Sequence, residues 1–253
     1  MTKTQRHAAI VQMLETTPAM SVSELSGAFD VSPMTIRRDL DELKDNGKII
    51  RIHGGAYATE KEPIAQISQR AMVNIPEKER IAKAAASLVK PGNSIILDGG
   101  STVSMMASHL TTKEHLTVIT PSLFTAQGLT SPNMQVLIPG GILLQSDFII
   151  VGAECERFFQ NMVADYAFVG ATGIRPGRGI SIVSPYQNSI KQTMMRSARK
   201  VVALVDHTKF ERDALHLAAD FKDIDIFITD RPISDKRTLD YMNEVGTEII
   251  IAE

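Results

Sequence analysis

Two patterns of apolar residues divide this chain, and the change from one to the other falls near Pro76. Before it, apolar positions repeat at helical spacing in short stretches. Thr4 to Glu15 carries Ile10, Val11 and Leu14 on one face, the stretch from Val22 carries Leu25, Ala28 and Phe29, and the next carries Ile36, Leu40 and Leu43. The caps sharpen the boundaries. Ser21 and Glu24 make an S-x-x-E capping box that starts a helix at Val22, and Asp30 and Val31 end it. Ser32 then suits an N-cap and Pro33 the first helical position, where a missing amide hydrogen costs nothing. After Gly47, which suits a helix C-terminus, Lys48 to Ile52 alternates polar and apolar like a strand, and His53-Gly54-Gly55 turns the chain back. Helices joined by a tight turn and followed by a hairpin predict a winged helix-turn-helix domain over residues 1–58.

Residues 59–75 read as a linker: Thr59 to Pro63 is charged and closed by a proline, and Ile64 to Ile75 holds apolar residues without a clear period. Glu77 to Val89 is a predicted helix with Ile81, Ala84, Ala85 and Leu88 inward, ended by Pro91-Gly92. Beyond it, short apolar runs at Ser94 to Leu97, Leu116 to Ile119, Gln135 to Ile138, Tyr166 to Val169, Val201 to Val205, Ile224 to Ile228 and Glu248 to Ile251 read as strands. Helical segments near Val103 to Leu110, Leu123 to Leu129, Ala153 to Asn161, Gln187 to Ala198 and Asp235 to Val245 lie between them. That alternation predicts βαβ units, and so an α/β domain with a mainly parallel sheet over residues 76–253.

Composition narrows the class without naming a function. With 43% hydrophobic and 22% charged residues over 253 positions, the chain has the make-up of a globular protein with a substantial core. No apolar run approaches a membrane span, and Met1 to Met20 holds His7, Gln12 and Glu15 where a signal peptide needs an unbroken apolar stretch. The expected location is the cytoplasm, which suits a single cysteine, Cys155, set among helical neighbours as a small packed side chain. Charge works against a simple account of nucleic-acid binding: the whole chain is formally −2, and residues 1–60 hold seven Lys and Arg against eight Asp and Glu. DNA affinity must come from local placement of the bases, and one copy would bind weakly, so a dimer or tetramer is expected.

Ile36, Leu40 and Leu43 set the buried face of the second helix of the pair, which leaves Met34, Thr35, Arg37 and Arg38 facing away from the core. Arg37 and Arg38 can reach guanine edges or phosphates and Thr35 a phosphate, while Lys48, Arg51 and His53 of the hairpin would lie beside the backbone. The plain alternative is a helical hairpin with a solvated charged face, since Asp39, Asp41, Glu42 and Asp45 sit close by. In an open α/β sheet ligands bind beyond the carboxyl ends of the strands. Here those loops are polar and glycine-rich: Asp98-Gly99-Gly100-Ser101-Thr102, then Thr120 and Ser122, then Gly140-Gly141, then Gly170-Ala171-Thr172-Gly173, with Lys191 on the following helix and Asp206-His207-Thr208-Lys209 after the fifth strand. Glycines admit a close backbone approach, and hydroxyls with free amides at a helix start suit a phosphate. The set points to a small anionic ligand; each glycine alone would be an ordinary turn.

The run Val31-Ser32-Pro33-Met34-Thr35-Ile36-Arg37-Arg38-Asp39-Leu40-Asp41-Glu42-Leu43, continued by Gly47 and Arg51-Ile52-His53-Gly54-Gly55-Ala56, resembles the N-terminal signature of the DeoR family of bacterial transcriptional regulators. Leu97-Asp98-Gly99-Gly100-Ser101-Thr102, Phe168-Val169-Gly170-Ala171-Thr172-Gly173-Ile174 and Val205-Asp206-His207-Thr208-Lys209-Phe210 resemble the sensor motifs of the same family. The resemblance implies a sugar-phosphate-sensing second domain, itself similar to ribose-5-phosphate isomerase and glucosamine-6-phosphate deaminase, whose phosphate loops also read Gly-Ser-Thr. Where the isomerase has a Gly-Ala-Asp-Glu run supplying catalytic acids, this chain has Gly170-Ala171-Thr172-Gly173. An aldose-ketose isomerase without that carboxylate loses its base. Pro121 departs from the family's usual Asn. The expectation is a non-enzymatic regulator with no cofactor or metal, most simply a repressor of a carbohydrate catabolic operon answering to a phosphorylated sugar. An activator has the same parts, and the rival class is a sugar-phosphate isomerase or deaminase carrying a DNA-binding module.

Overall fold

The computed structural model describes residues 2–16, 19–45, 49–52, 55–58 and 67–253. The chain separates into two compact units, Met1–Ala65 and Gln66–Glu253. Lys48, His53 and the proposed linker core at 59–63 lie outside the described residues, and so does the side chain of Arg51.

The first unit runs α1 (Lys3–Thr16), β1 (Ala19–Ser21), α2 (Val22–Phe29), α3 (Pro33–Asp45), β2 (Ile49–Ile52) and β3 (Gly55–Ala58), with the strands ordered β1-β3-β2 and paired antiparallel. The capping box forms: the Ser21 hydroxyl accepts from the Glu24 amide at 3.1 Å and the Ser21 amide donates to Glu24 Oε2 at 2.7 Å. Asp30 closes α2 in the left-handed region, and the Ser32 hydroxyl takes the Thr35 amide at 3.2 Å to open α3. Ile10, Leu14, Leu25, Ile36, Leu40, Leu43 and Ile49 fill the core. Strand β1 is three residues long, too short to show a period, which is why the apolar pattern does not reveal it.

The second unit opens with α4 (Ile67–Ala71) and α5 (Ile75–Ser87), then β4 (Ser94–Leu97), α6 (Ser101–Ser104), α7 (Met106–Leu110), β5 (Leu116–Ile119), α8 (Leu123–Ala126), β6 (Met134–Leu137), β7 (Ile142–Leu144), β8 (Ile149–Val151), α9 (Ala153–Gln160) and β9 (Ala164–Gly170). It continues through β10 (Gly173–Arg175), β11 (Gly179–Ile182), α10 (Pro185–Arg196), β12 (Ala198–Leu204), β13 (His216–Asp220), β14 (Ile226–Thr229), α11 (Lys236–Val245) and β15 (Glu248–Ile251). The main sheet has the order β15-β14-β12-β9-β4-β5-β6, and every neighbouring pair is parallel. Both faces are covered, so its strands read as near-continuous apolar runs. Within β4, Ile95 and Leu97 join one core cluster with α5 and α7, while Ile96 points into the other with Cys155, Phe159, Ile190 and Met194. Cys155 is fully buried, and burial, helped by Glu156, pushes its thiol up to about 12; it is packing and not a nucleophile.

The apolar pattern does not show the β7–β8 hairpin or the small antiparallel sheet β10-β11-β13. Ile142 and Leu143 of the hairpin are exposed, so no alternation of inward and outward residues marks it. Among the described residues no helix is long and apolar enough to cross a membrane.

Part of the segment read as connection belongs to the second unit. Ile67 is 1% exposed, its amide donates to the Ser146 carbonyl at 3.2 Å, and Arg70 pairs with Asp147. Burying a side chain of this size contributes about 1.5–3 kcal/mol. A fragment starting at Gln66 is therefore expected to unfold at a higher temperature than one starting at Pro76; equal transitions by calorimetry would show that α4 adds nothing to the unit.

Candidate DNA-reading surface and effector site

Helix α3 is amphipathic in a way that sorts its charges. Ile36, Leu40 and Leu43 face the core, and Met34, Arg37 and Arg38 are exposed, Met34 by 58%. Thr35 is half-buried, and its hydroxyl lies 3.0 Å from that of Ser32. The acids are partly withdrawn from this surface. Asp39 is 2% exposed and takes a forked contact from Arg6, at 2.6 and 3.1 Å, with His7 Nε2 at 2.9 Å. Burial alone would raise the Asp39 carboxyl, but the bonds from Arg6 and His7 outweigh it and hold the group below the ordinary carboxylate range. Glu42 is matched by Lys3 at 2.6 Å. Helix α1 thus neutralises two acids of α3 while Arg37 and Arg38 stay exposed, an arrangement that sequence spacing alone does not disclose.

In the second unit the strand order reverses direction beside β4: the chain goes from β4 outward through β5 and β6, then returns to lay β9 on the other edge of β4. Such a switch point opens a crevice beyond the carboxyl ends of the two strands. Asp98, Gly99 and Gly100 leave β4 there and Gly170 ends β9. Asp98 Oδ2 accepts the Gly170 amide at 3.0 Å and the Lys191 ammonium, which also donates to the Gly170 carbonyl at 2.7 Å. Lys191 is 2% exposed. Sequence reasoning gives it to a bound phosphate; the structure makes it the counterion of Asp98 and a brace for the crevice wall.

The remaining candidates divide by whether their polar atoms are already used. Thr120 and Ser122 are fully buried, with the Thr120 hydroxyl accepting from the Ser122 amide and the Ser122 hydroxyl capping α8 through the Thr125 amide, each at 3.1 Å. Gly140 is exposed with open space beside it, and Gly141 sits at φ +149 against the Val151 carbonyl, where a Cβ would lie 2.5 Å from the oxygen, so Gly141 serves the approach of β7 to β8. Gly99 is backed by Ile149, and the Thr172 amide joins the small sheet through the Ser181 carbonyl. By contrast, Ser101 and Thr102, 8% and 6% exposed at the start of α6, make no side-chain hydrogen bond to the described residues, and a Cβ on Gly100 would meet nothing closer than Gly170 Cα at 3.7 Å. One strand further, Asp206 caps the short 3-10 turn His207–Glu211: its Oδ1 accepts the Thr208 amide at 3.1 Å, while its buried Oδ2 has no hydrogen-bond partner among the described residues. Lys209 Nζ stands 4.0 Å from that oxygen. Lys78 and Arg70, which sequence reasoning passes over, lie near the same group: Lys78 is 3% exposed and its ammonium donates to the Arg70 carbonyl. The signal was present in the spacing, since Lys78 falls on the helical face of Ala82, Ala85 and Val89.

A helix-turn-helix with a forward-facing arginine pair, followed by a doubly wound α/β unit with polar strand ends, defines a DNA-binding transcriptional regulator. A DeoR-like helix-turn-helix domain matches residues 6–62 and a DeoR C terminal sensor domain matches residues 73–231. The HTH-type transcriptional regulator GolR of Listeria innocua serovar 6a is 36% identical over 251 residues, covering 98% of each chain. The glycerol-3-phosphate regulon repressor of Escherichia coli strain K12 is 30% identical over 233 residues, covering 92% of each. The chain belongs to the DeoR family of transcriptional regulators. The ribose 5-phosphate isomerase of Methanocaldococcus jannaschii overlays 54% of this chain and 55% of its own at a TM-score of 0.39 and 19% identity.

Replacing Lys191 by Met would leave Asp98 buried with an uncompensated charge, and breaking such a pair costs about 3–5 kcal/mol. Chemical denaturation should show that loss, and the double variant with Asp98→Asn should recover part of it. A Lys191→Met protein as stable as the native one would show that the pair does not hold the crevice.

Proposed function

We propose that this regulator is a repressor of a carbohydrate catabolic operon, and that a phosphorylated sugar bound at the switch-point crevice changes its grip on operator DNA. The observation that carries the reading is the pair of hydroxyls at Ser101 and Thr102, which have no hydrogen-bond partner among the described residues although they stand at a glycine-backed helix start beside a braced, buried ion pair. The nearby hydroxyls of Thr120 and Ser122 are already spent in their own turn. The name of the Escherichia coli relative, a repressor of a glycerol-3-phosphate regulon, supports both halves of the proposal. At Gly170-Ala171-Thr172-Gly173 there is no carboxylate to act as a base, so the crevice binds without turning its ligand over. The working form is a cytoplasmic dimer or tetramer. One unit of net charge −1 over residues 1–60 holds DNA through a few local cations, and two units on one operator add their contacts.

On the DNA side, Met34, Thr35, Arg37 and Arg38 of α3 form the reading surface, with Lys48, Arg51 and His53 of the hairpin beside the backbone. Arg37→Ala or Arg38→Ala is expected to weaken operator binding by about 1–3 kcal/mol where the side chain makes a bidentate base contact, with an unchanged thermal transition. Full affinity in the double variant would take α3 out of the interface. On the ligand side, Ser101→Ala should bind operator normally yet need more sugar phosphate to respond, by a hydrogen bond's worth of about 1.5–3 kcal/mol to a charged group. Titrating operator and sugar phosphate on one preparation checks this; a native response would exclude the α6 start as the sensor.

A further inference from the structure

The last strand of the main sheet has one side open. In the order β15-β14-β12-β9-β4-β5-β6, β15 pairs only with β14 among the described residues. The Glu248 amide donates to the Asp225 carbonyl at 2.9 Å and the Ala252 amide to the Thr229 carbonyl at 2.8 Å. Bonding in a parallel ladder alternates along the strand, so Glu248, Ile250 and Ala252 turn their N–H and C=O groups to β14 while Ile249 and Ile251 turn theirs outward. Such an edge invites another strand unless lysine, proline or a bulge blunts it. Thr247-Glu248-Ile249-Ile250-Ile251-Ala252 has neither lysine nor proline, its register with β14 is unbroken, and Ile251 is 38% exposed.

The charges beside this edge indicate what fits it. Glu248 is exposed and makes no ion pair among the described residues. It shares a sheet face with Ile250, which packs on the cluster holding Ile81, Ala82 and Ala85 of α5. Arg80 of α5 stands on that face at the far end of the strand, where its Nε donates to the Ala252 carbonyl at 3.3 Å. The rest of its guanidinium fork makes no bond to the described residues. Within one copy the strand keeps Glu248 and Ala252 apart, by roughly 13 Å at about 3.3 Å per residue.

Resting on the reading of the working form as a dimer or tetramer, we propose that β15 pairs with β15 of a second copy, antiparallel about a two-fold axis through Ile250, and joins the two seven-stranded sheets into one. The outward groups select that register. Centred on Ile250, the pairing sets Ile249 of each copy against Ile251 of the other, and every outward amide meets an outward carbonyl. Centred on Ile249, it would set Ile251 against Thr247, whose amide already donates to the Met242 carbonyl. The charges select the same register. Glu248 comes opposite Ala252 of the second copy, on the face where that copy's Arg80 lies, and the symmetry supplies the ion pair twice. On the other face the Ile249 and Ile251 side chains cover one another across the new strand pair. Because the joined strands run in opposite directions, the two crevices open at opposite ends of the combined sheet.

The test is sedimentation velocity on the full chain over a range of concentrations, with far-ultraviolet circular dichroism of each variant as the control for folding. The native protein should sediment as a dimer or tetramer. Ile251→Pro removes an amide that a single copy does not use, as proline on an edge strand can, and should shift assembly one step down, from tetramer to dimer or from dimer to monomer. Glu248→Arg, at an exposed position, sets cation against cation and should raise the dissociation constant of that step by about tenfold or more. Adding Arg80→Glu to Glu248→Arg exchanges the charges and should restore much of the assembly, which a structural role for either residue alone would not produce. If Ile251→Pro does not fold, Glu248→Arg and the exchange decide the matter. Native assembly in Glu248→Arg and in any folded Ile251→Pro protein would overturn this interface and leave the oligomer reading standing. A native chain that stays monomeric at every concentration would remove that reading and this inference together.

Discussion

A buried ion pair at the place where the sheet changes direction sets the form of the second unit. Asp98 ends β4 and Gly170 ends β9, and the Asp98 carboxylate joins them by accepting the Gly170 amide while Lys191 of α10 neutralises it. Apolar side chains could cement these strands as well or better, since desolvating two charges offsets much of what their attraction returns. What the pair adds is direction. The carboxylate and the ammonium fix the backbone of both strand ends, so the start of α6 meets the crevice in one orientation. The loops that would accept a ligand are therefore held by their walls, and the hydroxyls at Ser101 and Thr102 need not take part in holding the fold.

The first unit solves an opposite problem with similar means. It carries more acids than bases over residues 1–60, which opposes approach to a polyanion. Helix α1 answers by spending Arg6 and His7 on Asp39 and Lys3 on Glu42. The forked Arg6 contact is geometrically specific and almost dry, whereas the Lys3–Glu42 pair is exposed and contributes little to stability. Its value is electrostatic: the charges of Asp39 and Glu42 are balanced locally, which lowers their opposition to Arg37 and Arg38.

The sequence disclosed what periodicity and capping control. The Ser21–Glu24 box, the Ser32 cap and the apolar face of Ile36, Leu40 and Leu43 are local, and so they could be read residue by residue. Every strand of the parallel sheet overlaps an apolar run, and in the central strands β4, β9, β12 and β14 burial on both faces leaves the near-continuous signature. The hairpin β7–β8 and the small sheet β10-β11-β13 were illegible because their strands are only three to five residues long, and β7 is exposed besides. The candidate site was legible as a set of loops but not as a set of roles. Nothing in the spacing says that Lys191, 93 positions from Asp98, would become its counterion, or that Thr120 and Ser122 would consume their own hydroxyls. Roles depend on contacts between distant residues, and polar atoms in particular are assigned only once every partner is in place.

Lys78 shows the same point from the other side. In the helical pattern of α5 it occupies an inward position, and a lysine there reads as a misfit among Ile81, Ala82 and Ala85. Misfits of this kind are informative, because burying an ammonium without a full set of acceptors is costly and persists only where something else is gained. Its bond to the Arg70 carbonyl offsets only part of that cost. A ligand can bias a regulator only through a difference in its affinity for two arrangements. A buried cation whose bond holds the first helix of the unit is a physical means of producing such a difference: the strength of its hold on α4 depends on what else it must neutralise.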